Sequence, residues 1–274
     1  MPRHFWKTKD LRSAIASGMV FMSRGIFAAL FPSDCRLCAA PLQNISRLPV
    51  CEECIAAIQP IVAETFDVCG EALPGLSRGG AASDLCSACQ ETPPLFAKAV
   101  AFGAYDEQLR ELIHLLKYEQ IIPAAGVLGK YLLQAIQKLD LPPKVLIVPV
   151  PLHSSKRRQR RFNQAELIAR AALKRMGGDR AQFASDVLKR VRPTVSHIGL
   201  TRPQRRDNIR GAFQVVHLNR VEGRSILLVD DVLTTGTTAS ECARVLRKAG
   251  ADQVWVATVA RTLKIAGRAF EDDR

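Results

Sequence analysis

Residues Ile226-Leu227-Leu228-Val229-Asp230-Asp231-Val232-Leu233-Thr234-Thr235-Gly236-Thr237-Thr238 constrain the fold more than any other stretch of this 274-residue chain. Four consecutive apolar residues read as a strand buried on both faces, as in a parallel sheet. Two adjacent carboxylates stand at its end, followed by four hydroxyls around one glycine. Ala239 to Lys248 then has helical spacing, and Gly250 is placed to cap it. Strand, acidic pair, Thr/Gly loop and helix start, in that order, suit a phosphorylated sugar. The hydroxyls, backbone N–H groups and helix dipole hold phosphate. The carboxylates accept hydrogen bonds from vicinal sugar hydroxyls and stand near a hard divalent cation. The stretch is neither a Walker A loop, which needs Gly-Lys-Ser/Thr, nor a Rossmann fingerprint, which needs three spaced glycines.

This stretch resembles the phosphoribosyl-pyrophosphate (PRPP) motif of type I phosphoribosyltransferases. The chain around it reads as alternating strands and helices. Strands are expected at Ala97–Tyr105, Val145–Pro149, Ser225–Asp230 and Val254–Val259, and helices at Glu107–Tyr118, Ala124–Lys138 and Asn163–Met176. Such alternation predicts a parallel α/β sheet. Apart from a recurring Cys-x-x-Cys, no internal repeat is evident.

Seven of the eight cysteines lie between Cys35 and Cys89. Cys35-x2-Cys38 and Cys51-x2-Cys54 have the spacing of two thiolate hairpins that complete a tetrahedral Zn²⁺ site. Disulfides are the rival reading, but they need an oxidising compartment, whereas PRPP chemistry is intracellular. Cys69, Cys86 and Cys89 look like a second site short of one ligand, because Phe66 stands where a fourth cysteine would. Asp67, Asp84 or water would complete it, and a metal-free remnant is the alternative. The pairing of hairpins stays open at this stage. Cys242 reads as a packed small hydrophobe. The expected organisation is an N-terminal helix over residues 1–31, a cysteine-rich double zinc ribbon over 32–92 and the α/β domain over 95–264.

The net charge is +13, and residues 152–220 hold 17 Lys/Arg against 4 Asp/Glu. So local an excess predicts a polyanionic partner: pyrophosphate, nucleic acid or an anionic membrane surface. No apolar run of about 18 residues is present, so a spanning helix is not expected. Basic residues before Ala14–Met22 imitate a signal peptide. Ser13–Phe31 equally suits a helix packed on the core or lying on a membrane surface. A cytoplasmic location is expected.

Dispersed landmarks, in order, carry a wider resemblance. They are Phe31-Pro32-Ser33-Asp34-Cys35-Arg36-Leu37-Cys38, Leu112-Ile113-His114-Leu115-Leu116-Lys117-Tyr118, Val148-Pro149-Val150-Pro151-Leu152-His153, Phe162-Asn163-Gln164-Ala165-Glu166-Leu167 and Arg206-Asp207-Asn208-Ile209-Arg210-Gly211-Ala212-Phe213. Together with the PRPP motif they resemble the ComF (ComFC/GntX) family of amidophosphoribosyltransferase-like proteins. The resemblance implies a type I phosphoribosyltransferase-like parallel sheet flanked by helices, with a small N-terminal zinc ribbon. It also implies, in some bacteria, a role in handling incoming DNA during natural transformation. Three residues depart from the family pattern: Phe66 for cysteine, Arg161 for the glycine before Phe-Asn-Gln, and His197 for glutamine. A glycine at a pyrophosphate loop permits backbone geometries that arginine resists.

The resemblance assigns roles. Asp230 and Asp231 hold ribose hydroxyls near Mg²⁺. Thr234, Thr235, Gly236, Thr237 and Thr238 cradle the 5′-phosphate. Lys117, Arg160 and Arg161 meet phosphate or pyrophosphate. Lys156, Arg157 and Arg158, with Arg202, Arg205, Arg206 and Arg210 in a segment resembling the mobile active-site loop, are candidates for single-stranded DNA as well. Zn²⁺ is the expected structural metal. Two functional readings follow: a phosphoribosyltransferase linked to DNA uptake and DNA-uptake proteins, or a non-catalytic nucleic-acid-binding accessory that uses the same fold. Few aromatics, 6% of the chain, argue against a dedicated base-stacking platform.

Overall fold

The computed structural model describes residues 33–42, 44, 46–73, 85–177, 181–195 and 199–263. The expected N-terminal helix, Asp84 and His197 lie outside them. The chain divides into two compact units, Met1–Ile58 and Gln59–Arg274. No described helix is long and apolar enough to cross a membrane.

The described part of the first unit holds a turn, residues 33–42, and one short helix, α1 (Glu52–Ala57). In the turn, Cys35 N–H donates to Ala40 O and Ala39 N–H to Cys35 O, both at 2.8 Å. Ala39 takes the left-handed conformation, φ 57°. Cys51 caps α1, its Sγ accepting from Cys54 N–H.

The second unit begins with the same device. Phe66 N–H donates to Glu71 O and Gly70 N–H to Phe66 O, again at 2.8 Å. Gly70 has φ 68°. Cys86 then precedes helix α2 (Ser87–Glu91) with backbone angles of −66° and 159°, against −70° and 160° at Cys51. The recurring Cys-x-x-Cys is thus part of a repeated fold element, hidden in the sequence because only the cysteines recur.

The rest is an α/β sheet. Strands β1 (Lys98–Ala104), β2 (Val145–Pro149), β3 (Ala181–Phe183), β6 (Ser225–Leu233) and β7 (Gln253–Arg261) form one sheet in the order β1-β7-β6-β2-β3. All four of its pairings are parallel. Ile226, Leu227, Leu228 and Val229 are fully buried, as an uninterrupted apolar run in a central strand requires. Helices α3 (Glu107–Lys117), α4 (Ala124–Ile136), α5 (Ser154–Arg160), α6 (Gln164–Met176) and α8 (Thr237–Lys248) connect the strands. A separate antiparallel pair, β4 (Leu188–Arg190) with β5 (Phe213–Val215), brackets helix α7 (Arg202–Ile209). One apolar cluster joins Leu228, Val148 and Val256 of the sheet to Cys242 of α8, Ile209 of α7 and Phe213 of β5. On the other face, α4 packs on α6, β7 and β1, with Tyr131 stacked on Phe102 at 4.3 Å.

The strand order creates one reversal. From β2 the chain moves outward to β3, and from β6 it moves the opposite way to β7. A crevice therefore opens beyond the carboxyl ends of β2 and β6, where ligands of open α/β sheets bind.

The knuckle at residues 66–71 is tied to the sheet. Ala99 N–H donates to Val68 O at 2.8 Å. Arg261, at the end of β7, donates to Cys69 O at 2.6 Å and pairs with the buried Glu71 at 3.0 Å.

The α4–α6 crossing supplies a test of packing. A Cβ on Gly129 would meet Ala171 Cβ at 2.5 Å and backbone at 2.9 Å, whereas one on Gly126, in the same helix, meets nothing within 4 Å. Helix propensity favours alanine by about 1 kcal/mol at both. Gly126→Ala should therefore stabilise the protein by up to about 1 kcal/mol in urea unfolding. Gly129→Ala should lose that gain and about 1–3 kcal/mol more through overpacking.

Candidate functional site

Strand alternation sends the two acidic side chains of β6 to opposite faces of the sheet. Asp231 meets the end of α3. Leu109, Leu112, Ile113, Leu115 and Leu116 bury one face of that helix, which fixes where its last residue, Lys117, projects. Lys117 Nζ lies 3.0 Å from Asp231 Oδ2, with side-chain exposures of only 14% and 7%. Tyr105, just after β1, places its ring 6.0 Å from Lys117 Nζ and its hydroxyl 2.9 Å from His114 Nε2.

Burial and the adjacent Asp231 charge push the Asp230 carboxyl well above the usual range. For Asp231, burial acts in the same direction, but the Lys117 ammonium outweighs it and holds the carboxyl below its ordinary value. Burial opposes the charge on Lys117, and Asp231 more than restores it.

Further cations gather around this pair. Arg160, the last residue of α5, stacks its guanidinium 5.1 Å over the Tyr118 ring and acts electrostatically on Asp231. Desolvation and the charges of Arg160, Arg190 and Lys117 lower Lys156. Burial lowers Arg190, with Cys242 and Asp230 opposing it. Four cations thus stand around two carboxylates, which suits a polyanion rather than a bare metal ion. The composition of residues 152–220 foreshadows the excess, but not Arg190, which sits in a three-residue strand with no motif to mark it.

The Thr/Gly loop closes the same end. Gly236 has φ 75°, a conformation that costs glycine nothing. No side chain caps α8. Thr235 and Thr237 face each other, Oγ1 to Oγ1, at 2.7 Å. The helix starts at Thr237, earlier than Ala239, so Thr237 and Thr238 belong to its first turn, where N–H groups are free of intrahelical partners.

After β2, Val150 N–H donates to Val229 O at 2.8 Å. Asn163 fixes the loop that follows: its Nδ2 donates to Val150 O at 2.9 Å and its Oδ1 accepts from Ala165 N–H at 3.1 Å. The Phe-Asn-Gln landmark therefore braces the loop and caps α6. Between them lies α5, with Arg157, Arg158 and Arg161 exposed.

Within residues 202–210, expected as a mobile loop, Arg202–Ile209 form helix α7. Thr201 and Gln204 make a reciprocal capping box with proline in the first turn, a strong helix start. Arg202 opens this helix. Arg205 Nε donates to Leu200 O at 2.9 Å, Arg206 to Thr92 Oγ1 at 2.8 Å, and Arg210 caps the helix. Arg192 braces the neighbouring segment by donating to Asn208 O and Arg210 O, both at 2.8 Å. Glu241 of α8 accepts from Gly211 N–H at 2.7 Å.

All eight cysteines are free of disulfides. The ligand atoms of Cys35, Cys38, Cys51 and Cys54 lie within 4.8 Å of one another, as do those of Cys69, Cys86 and Cys89. Sulfur atoms are 3.9 Å apart for Cys35–Cys54, 3.7 Å for Cys38–Cys51 and 3.6 Å for Cys69–Cys86. A zinc tetrahedron with Zn–S of about 2.3 Å has edges of about 3.8 Å, so the first group fits Zn²⁺. Burial raises the Cys35 thiol, but N–H groups of Cys51, Leu37 and Cys38 outweigh it and bring it down to about 6. Cys54 goes the other way, raised by burial and the neighbouring thiols, so metal binding must displace protons from the group.

Residues 180–273 match the phosphoribosyl transferase domain family. The chain is 33% identical over 236 residues to DNA utilization protein YhgH of Salmonella typhi, covering 85% of this chain and 98% of that one. The chain belongs to the ComF family. Competence protein F of Haemophilus influenzae is 32% identical over 183 residues, 64% of this chain and 78% of that protein. Among solved structures, the allosteric regulatory enzyme of purine biosynthesis aligns with 50% of this chain and 26% of its own at 24% identity and TM-score 0.32. The glutamine PRPP amidotransferase of B. subtilis does so at 25% identity and TM-score 0.31, with the same coverage. The strand order and the domain match make this ComF protein's second unit a type I phosphoribosyltransferase-like sheet.

The two carboxylates should respond oppositely to amidation. Because Asp230 is raised in the fold, its contribution is lost as pH climbs past the ordinary carboxylate value of about 4. Asp230→Asn should therefore stabilise the protein at pH 7 and be neutral near about pH 3. Asp231 is depressed, so its contribution is present above that value and lost as pH falls. Asp231→Asn leaves Lys117 buried and unpaired and should cost about 3 kcal/mol at pH 7. Urea unfolding of both variants at the two pH values checks the signs.

Proposed function

We propose that this ComF protein binds PRPP, or a ribose 5-phosphate group, with Mg²⁺ in the crevice beyond β2 and β6, in the service of DNA taken up by the cell. One observation carries the reading. Among the described residues, an acidic pair with Asp231 buried, a Thr/Gly helix start without a side-chain cap and four cations meet at the reversal of strand order. Thr234 to Thr238 and the first-turn N–H groups of α8 receive the 5′-phosphate. Asp230 and Asp231 accept from the ribose hydroxyls. Lys117, Lys156, Arg160 and Arg190 neutralise pyrophosphate, the role that matters as charge grows on a leaving group. Mg²⁺, when bound, neutralises the same pyrophosphate and stands near the carboxylates. The relatives' names, DNA utilization protein and competence protein, support the link to incoming DNA. Such a role belongs in the cytoplasm.

Titration calorimetry with PRPP and Mg²⁺ tests the site. The Asp230→Asn, Asp231→Asn double variant should remain folded and bind at least tenfold more weakly, a loss of about 1.4 kcal/mol or more. Unchanged affinity in a folded double variant rejects the assignment.

A second reading, contact with single-stranded DNA, rests on Arg157, Arg158 and Arg161, which are exposed on and beside α5. Each phosphate they neutralise should add about −0.7 to the slope of log K against log salt. Replacing all three with alanine should flatten that slope by up to about 2 units for every sequence alike. A slope untouched by the triple substitution removes DNA from this face.

A further inference from the structure

The two cysteine groups are built on the same backbone. In each, the first knuckle residue donates to the carbonyl five residues on, and the residue after the second knuckle position is left-handed. The residues outside the turn match as well: Leu42 N–H donates to Ser33 O, and Leu73 N–H to Glu64 O, both at 2.9 Å. By this register Phe66 occupies the position of Cys35, Cys69 that of Cys38, Cys86 that of Cys51 and Cys89 that of Cys54. The second group therefore has three vertices of a thiolate tetrahedron in place. The fourth belongs to a side chain with no donor atom.

Among the described residues, nearby carboxylates do not replace it. Asp67 turns to Lys98, 3.5 Å away, and Glu71 is held by Arg261. Among the described residues, no carboxylate joins the three thiols as a ligand group. Cys69 and Cys86 are buried, but Cys89 and Phe66 are only half-buried, so the group is reachable from solvent. Three protein ligands with a free fourth position is the arrangement by which zinc accepts an outside ligand, and a four-ligand site is closed. Zinc is borderline-soft and takes thiolate sulfur as a ligand.

We propose that Cys69, Cys86 and Cys89 form a zinc site with an open coordination position that takes a small exogenous thiol. The thiol gives its proton to solvent and binds through sulfur. The four-cysteine group in the first unit is closed and does not respond. The proposal concerns a thiol ligand on these three cysteines and does not rest on PRPP binding.

Cobalt reports it. Full-length protein loaded with Co²⁺ in thiol-free buffer should hold two ions per chain. Titration with 2-mercaptoethanol should change the visible absorption of one of them, with saturation. Cys89→Ser should retain one ion per chain and show no change. Phe66→Cys supplies the missing vertex: it should hold two ions, lose the response and release zinc from the second site to a chromophoric chelator at least tenfold more slowly. Phe66→Ser removes the ring without adding a thiolate and should still respond. One ion per chain in the wild-type protein, a spectrum silent to thiol, or an undiminished response in Phe66→Cys overturns the proposal.

Discussion

Two carboxylates in sequence at the end of a buried strand make a problem that the surrounding fold is arranged to contain. Alternation along β6 gives them different nearest partners, although the Lys117 ammonium acts on both. Asp231 receives Lys117 at 3.0 Å, and that contact requires α3 to end where it does, with its leucine face packed. Asp230 shares its face with Arg190 of the β4–β5 pair, a less complete answer. A buried ion pair is poor evidence of net stabilisation, because desolvation consumes most of its attraction. Two isosteric apolar residues would suit this core as well. An acidic pair that conflicts with its surroundings in this way is what a functional site looks like, rather than a packing solution.

The same logic explains why cations outnumber carboxylates there. Lys117 already satisfies Asp231, so a ligand must bring its own negative charge to occupy Lys156, Arg160 and Arg190. Until it arrives these groups repel one another, which adds to burial in lowering Lys156. The site is poised for a multiply charged anion, and binding relieves repulsion as well as making contacts.

What could be read from the chain follows from which signals are local. The apolar runs of β2 and β6 and the periodic faces of α3, α4 and α6 announced themselves, and so did the Thr/Gly loop. Strands β3, β4 and β5 did not, because each is three residues long and exists through non-local pairing rather than pattern. Helix α5 was illegible for another reason: Ser-Ser-Lys-Arg-Arg-Gln-Arg has no apolar stripe, and none of its residues is buried. Its polar sequence reads as loop, while local capping makes it helix. His153 caps its start, accepting from Ser155 N–H. Thr201 and Gln204 carry a legible capping box, yet the basic residues between and after them give the same segment the composition of a charged loop. The repeat of the zinc knuckle lay hidden because hydrogen bonds, not side chains, are what recurs.

Arg161 shows how a departure in sequence is absorbed in structure. It ends α5 with φ 66° and ψ −15°, the left-handed region where the family usually has glycine. A side chain there costs roughly 1–2 kcal/mol. The turn is held from both sides. Asn163, 6% exposed, bonds to Val150 O and to the first turn of α6 at once, and it can do so only if the chain reverses at residue 161. Those two bonds, together with burial of α6 behind them, outweigh the strain of one left-handed residue. The backbone that glycine would permit is therefore imposed on arginine. What changes is the surface: a glycine leaves the loop bare, whereas Arg161 adds an exposed cation beside Arg157 and Arg158 without altering the path of the chain that carries Arg160 to the carboxylates.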